Sequence, residues 1–241
     1  MIKEGKTGKY LKYAFGEIIL VVIGILIALY INNWNQNRLQ ENEELNSLKF
    51  LKAEFEGNLQ KFDGNFDKQK TRLAVINTIL FKDLSQNTLW ELDSIYQLSF
   101  YSWTYNPSFS TYNSLISSGK MNQFSNDSLK IKLAEFKDLV TDYQEDEENL
   151  WEHSKEQLFV HELYETKIPT EVKFNLRERT PDEALNDKSL YLELFENTEY
   201  RNKLTLARLH LELIIGEGNK VREELIELNE RIDKSIRRFK Q

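Results

Sequence analysis

From Phe15 to Trp34 the chain reads FGEIILVVIGILIALYINNW, and no other stretch limits its possible folds so strongly. As a helix rising 1.5 Å per residue, about 20 residues reach roughly the 30 Å of a bilayer's hydrocarbon core. The uncharged apolar part, Ile18 to Ile31, also matches the length of a signal-peptide core. The residues after it, Asn32, Asn33, Trp34, Asn35 and Gln36, contain no small-x-small cleavage pattern, so a retained anchor is expected. Tyr10 and Tyr13 on one side and Tyr30 and Trp34 on the other place amphipathic rings where headgroups would lie.

The flanks give the anchor a direction. Lys3, Lys6, Lys9 and Lys12 stand against Glu4 before it, whereas Arg38 after it is followed by Glu41, Glu43 and Glu44. The positive-inside rule predicts residues 1–14 as a basic cytoplasmic N-terminus, 15–34 as a transmembrane helix and 35–241 as an extramembrane, periplasmic domain. Net charge is -7, and with about +3 before Phe15 the part beyond Glu17 carries about -9. Such an acidic domain does not seek nucleic acid.

Composition fixes the class of that domain. Mean hydropathy is -0.57 despite the apolar segment, which excludes a many-span protein. Three prolines and nine glycines in 241 residues are too few for a strand-rich chain with many turns. The prediction is all-α: an N-terminal transmembrane helix continuing toward an extramembrane helical bundle with long heptad-patterned helices. The chain has no cysteine, which removes thiol catalysis, Cys-ligated zinc and disulfides without choosing a redox compartment.

Periodicity supports this reading. Leu45, Leu48, Leu51, Phe55, Leu59, Phe62, Phe66, Leu73, Ile76 and Leu80 recur at three, four or seven residues, close enough to the anchor for one helix to run through both. Gly57 and Gly64 are its weak points. From Trp90 to Phe109 no period is sustained, and short helical turns are expected. Asn106 before Pro107 reads as a helix start and Gly119 as its end. Ser125 to Asp127 cap a helix carrying Leu129, Leu133, Phe136, Val140, Tyr143, Leu150 and Leu158, extended toward Thr166 through Glu145–Glu148, which reads as a solvated face. Residues 168–180 read as a loop, Thr180-Pro181-Asp182-Glu183 as a helix start, and Leu204 to Phe239 as a last heptad helix. Leu211 to Ile215 is too short for a second span.

The run GKYLKYAFGEIILVVIGILIALYINNWN, Gly8 to Asn35, resembles the opening of an uncharacterised bacterial family of small single-span membrane proteins known as a domain of unknown function. NPSFSTYNSLISSGKMNQFSNDSL, Asn106 to Leu129 and including STYNSLISSGKMN, resembles that family's central motif. The resemblance implies an inner-membrane protein of a Gram-negative envelope. It brings no activity, substrate, cofactor or catalytic residue.

Candidate functional residues are few. Glu17 sits about one turn inside the apolar segment, where a carboxylate is costly, and shares a helical stripe with the small residues Gly24 and Ala28. The stripe suits a helix–helix interface, a proton- or ion-coupled complex, or a depth marker at the headgroups. Phe100, Tyr101, Trp103, Tyr105 and Phe109 suit either the closure of a bundle's end or a ligand pocket. His153 and His161, eight residues apart, do not stack on one helix face, and no Glu-x-x-His signature accompanies them. Neither phosphate loop, nucleophile elbow nor zincin pair occurs, so no catalytic residue, cofactor or metal is assigned. The expectation is a non-enzymatic, membrane-anchored scaffold or interaction protein of the bacterial envelope. It associates with itself or another envelope protein through its heptad faces and the Glu17-Gly24-Ala28 stripe. The alternatives are a single-span subunit of an ion- or proton-coupled complex using Glu17, and a periplasmic ligand sensor.

Overall fold

The computed structural model describes residues 7–155 and 180–239, with side chains from Tyr13 onward. Among these residues lie six α-helices, a short 3-10 turn and no strand. The anchor and the first heptad series are one helix, α1, Thr7–Phe81, of 75 residues; at 1.5 Å per residue it is roughly 110 Å long. It contains the one stretch among the described residues that is long and apolar enough to cross a membrane. Every residue from Tyr13 to Glu43 is exposed, and burial begins at Glu44. About ten residues of bare helix, roughly 15 Å, therefore separate Trp34 from the bundle.

Beyond Glu44 the heptad face packs into the core, with Leu45, Leu59 and Leu73 partly buried at its margin. Leu48, Leu51, Phe55, Phe62, Phe66 and Ile76 are buried, and the helix passes Gly57 and Gly64 without a break. Its partner is the last helix, α6, Thr198–Arg238, which runs antiparallel and buries Leu204, Leu211, Ile214, Val221, Leu225, Leu228 and Ile232. Their register is fixed by polar pairs: Lys52 with Asp233 at 2.5 Å, Asp63 with Arg222 at 2.7 Å and Asn77 with Arg208 at 2.9 Å. At Gly218 α6 lies against the Phe66 ring so closely that a Cβ there would overlap it. Arg201 of α6 donates to the carbonyls of Ile79 at 3.2 Å and Leu80 at 2.6 Å, closing the C-terminus of α1.

The chain between them comes down, up and back. Helix α2, Leu89–Phe100, opens on a capping box of Thr88 and Glu91, and α3 spans Ser110–Ser117. After the 3-10 turn Lys120–Gln123, α4, Asp127–His153, climbs beside α6. Its Asn126 cap fulfils the Ser125 to Asp127 expectation. Helix α5, Pro181–Glu196, starts as predicted with Thr180 and Glu183 in a second capping box. Gly119, at φ 72, ends the short helix as expected. The predicted extension of α4 toward Thr166, and the loop at 168–179, lie outside the described residues.

Three expectations are corrected. Trp90 to Phe100 is a regular helix rather than short turns, and the irregular part is confined to Tyr101–Phe109. The helix expected from Asn106 begins at Ser110, because the backbone of Ser108 is held by Asn58 instead of entering the helix. Glu147, within the run read as solvated, is buried, while Glu145 and Glu148 remain exposed. Its place in the α4 series Leu129, Leu133, Phe136, Val140, Tyr143, Glu147, Leu150 is a core position.

Candidate functional site

In an up-down-up-down bundle the second member would be one helix; here α2 and α3 are its two ends, joined by nine residues without regular hydrogen bonding. Pro107 lies within that break, where its missing N–H costs no helical hydrogen bond. Peptide groups so exposed against a core need partners. They receive them from polar side chains at core positions of α1 and α4.

The pairing runs down α1 residue by residue. Arg72 donates from Nε to the Ser99 carbonyl at 2.9 Å, from Nη1 to Ser102 Oγ at 2.7 Å and from Nη2 to Ser154 Oγ at 2.8 Å. Gln69 Nε2 donates to the Trp103 carbonyl at 3.3 Å and to Glu147 Oε1 at 2.5 Å, and Gln69 Oε1 accepts from the Tyr143 hydroxyl at 2.8 Å. Glu147 Oε2 accepts the Tyr105 N–H at 2.6 Å, and Gln144 donates to the Tyr105 carbonyl at 2.8 Å. Asn58 reads both peptide groups of Ser108, accepting its N–H and donating to its carbonyl, each at 2.8 Å. Glu54 caps α3 from outside, accepting from the hydroxyls of Ser108 and Ser110 and the N–H groups of Thr111 and Tyr112. Glu44 accepts from the N–H and hydroxyl of Ser125 just before α4.

Electrostatics follow from burial. Burial pushes Glu147 up to about 7, against the Tyr105 N–H, the Gln69 amide and the Tyr143 hydroxyl, which pull it back. Burial likewise raises the Tyr143 and Tyr105 hydroxyls, assisted by Glu147. Arg72 is lowered by burial to about 10 and stays cationic at neutral pH. For Glu54 partial burial acts upward, but the donors of α3 outweigh it and hold the carboxyl below its ordinary value. Glu147 and Arg72 are each 1% exposed, so the seam lies inside the bundle, where each hydrogen bond is shielded from water.

The predicted aromatic group is divided among several places. Phe100 and Tyr105 are buried, Tyr101 is exposed, and Trp103 and Phe109 are half-buried. Tyr105 meets Phe62 edge-on at 4.9 Å, Phe109 faces Phe136 at 6.1 Å, and Trp103 lies beside Tyr101 at 6.2 Å with Lys68 above its ring. Tyr105 and Phe109 thus wedge the strap against α1 and α4, while Phe100 stacks on Tyr101 at 5.0 Å. Glu17, Gly24 and Ala28 all lie on the exposed surface of α1.

His153 meets His210 of α6, ring centroids 5.8 Å apart, a pairing the sequence reading missed; His161 lies outside the described residues. Among the described residues no group of three or more His, Asp or Glu is placed to hold a metal ion. Two open grooves lie at the end of the bundle toward the anchor. One of about 670 Å³ is lined by Phe50, Ser114, Leu115 and Lys120, and one of about 560 Å³ by Asp127, Glu230, Arg231 and Lys234.

Comparison with known proteins gives a family and no activity. No curated protein and no solved structure matches the chain. The model of a family of unknown function, DUF6090, matches residues 17–167, from Glu17 through the strap, α3 and α4. That is more than half of the chain, which therefore belongs to the DUF6090 family of unknown function.

Proposed function

We propose that this protein is a non-enzymatic scaffold of the bacterial envelope. One span holds it in the inner membrane with its N-terminus in the cytoplasm, and its bundle stands in the periplasm for another protein or a second copy to bind. The observation that carries the reading is α1, a single helix that serves as apolar segment, stalk and core helix in turn. A helix continuous through all three holds the bundle at a set height and orientation. Asn58, Gln69, Arg72 and Glu147 inside the bundle support this reading, because they are engaged with the chain's own backbone and neighbouring side chains.

One element of the expected association changes. The heptad faces of α1 and α6 are buried against each other within one chain, so they are not open to a second copy. Association would use outward surfaces of the bundle.

The test is cross-linking in the cell, purification of the intact protein from native membranes and identification of its partners by mass spectrometry, with Glu17→Gln in parallel. A protein or second copy captured by both forms is expected. Capture lost with Glu17→Gln would point instead to coupling inside the membrane, and a chain that stays monomeric and captures nothing would contradict the scaffold.

A further inference from the structure

At the end of the bundle far from the anchor, three helices meet around two imidazoles. His153, the last residue of α4, and His210 of α6 are half-buried, with ring planes 31° apart. The described charged groups facing His153 are Arg72 from α1 and Lys203 from α6; Lys203 is paired with Glu199 at 2.8 Å. Arg72 is bound next door to Ser154 and, among the described residues, has hydroxyl and carbonyl acceptors but no carboxylate. His153 Nε2 lies 3.2 Å from the Lys203 carbonyl, which can only accept, so the neutral ring carries its proton on Nε2. A second proton would go to Nδ1, where the described residues offer no acceptor, beside a fixed guanidinium and a second imidazole.

We propose that His153 and His210 form an acid-sensitive latch: neutral, they hold the far ends of α4 and α6 together, and protonated, they release them. Every proton added to the pair adds repulsion to a site that already holds Arg72. His153 already makes its hydrogen bond to the Lys203 carbonyl with one proton, so a second proton brings no new bond among the described residues to offset the charge.

The direction agrees with the His153 imidazole, which is held below its ordinary value first by burial and then by His210, Arg72 and Lys203, against the Lys203 carbonyl. A histidine depressed in the folded state contributes stability above its unfolded value of about 6.5, and that contribution is lost as pH falls through the folded value. Two turns nearer the anchor on the same seam, burial and then Asp146 raise Glu217. Raised carboxyls favour the folded state on acidification, as does Glu147. The latch thus weakens where the seam below it tightens, and acid opens the far end selectively.

Hydrogen exchange of the full chain in lipid nanodiscs, corrected for intrinsic rates, tests this at about pH 7.5 and about pH 5. Peptides covering 148–153 and 203–211 are expected to lose protection by roughly tenfold relative to peptides covering 48–59 and 225–236. His153→Gln, which keeps a donor for the Lys203 carbonyl, combined with His210→Gln is expected to abolish that difference. Equal loss at both ends, or selective loss that persists in the double variant, would overturn the proposal. Should the double variant fail to fold, NMR titration of the histidines in the unaltered chain decides. A His153 ring titrating below its ordinary value of about 6.5 supports the latch, and one titrating at about 6.5 or above overturns it.

Discussion

Glu147 of α4 accepts the backbone N–H of Tyr105 at 2.6 Å from a core position, fastening an irregular strap to the middle of a helical bundle. Its neighbours Gln69 and Asn65 also donate to it, so among the described residues the shell is built of neutral donors. Burial dominates, and the raised carboxyl sets a pH dependence. An acid whose value rises on folding stabilises the folded state while protonated. The stability of the native protein minus that of Glu147→Gln should fall by up to about 3 kcal/mol as pH rises from about 4.5 to about 7. Urea unfolding of the two proteins across that range measures it, and a flat difference would refute it.

Asn58 binds both peptide groups of Ser108, and replacing it by Leu leaves a half-buried N–H and C=O without their partner. The expected loss is about 2–4 kcal/mol, with the exchange of the 101–112 backbone rising before that of α6. Asn58→Asp, which keeps the acceptor and loses the donor, should fall between the two. Equal stability of the Leu variant and the native protein in urea would remove the strap-fastening role.

The glycines should divide sharply. Gly218→Ala places a Cβ against Phe66 where two long helices cross, with an expected cost of about 1–3 kcal/mol. Gly57→Ala and Gly64→Ala meet nothing within 4 Å and should each stabilise α1 by about 0.5–1 kcal/mol. Thermal melting of the three variants would show one fall and two rises. A rise for Gly218→Ala would mean that α1 and α6 do not approach as described.

Arg201 joins the ends of three helices, donating to the carbonyls of Ile79, Leu80 and Phe195. Arg201→Met keeps much of the stem and removes these bonds, with an expected loss of about 1.5–3 kcal/mol confined to the end of the bundle far from the anchor. Exchange in the last two turns of α1 is the readout.

What the sequence made legible is what periodicity and capping encode. The heptad series from Leu45 to Leu80 and from Leu204 to Phe239 correspond to packed faces, and Thr180 with Pro181, Asn126 and Gly119 stand at real helix ends. The polar seam was harder to see because the apolar series steps directly from Phe66 to Leu73. That gap contains Gln69 and Arg72, both at core positions, and Asn58 and Glu147 fill two more. A polar residue in a heptad slot reads as a solvated interruption unless the irregular segment needing its hydrogen bonds is already known. The helix start at Asn106 failed for the same reason: local capping signals were overridden by Asn58 and Glu54, about 50 residues away in sequence. His153 and His210 meet through the antiparallel packing of α4 on α6, which spacing along one helix cannot reveal.

The continuity of α1 carries the functional reading, and a distance measurement tests it most directly. With no cysteine in the chain, spin labels can be placed at Gln36 on the stalk and Gln60 beside the bundle, both exposed. In nanodiscs, one uninterrupted helix places their backbones roughly 36 Å apart and gives a narrow distance distribution between the labels. A broad or markedly shorter distribution would mean that the stalk bends between anchor and bundle, and a scaffold held at a fixed height would be contradicted.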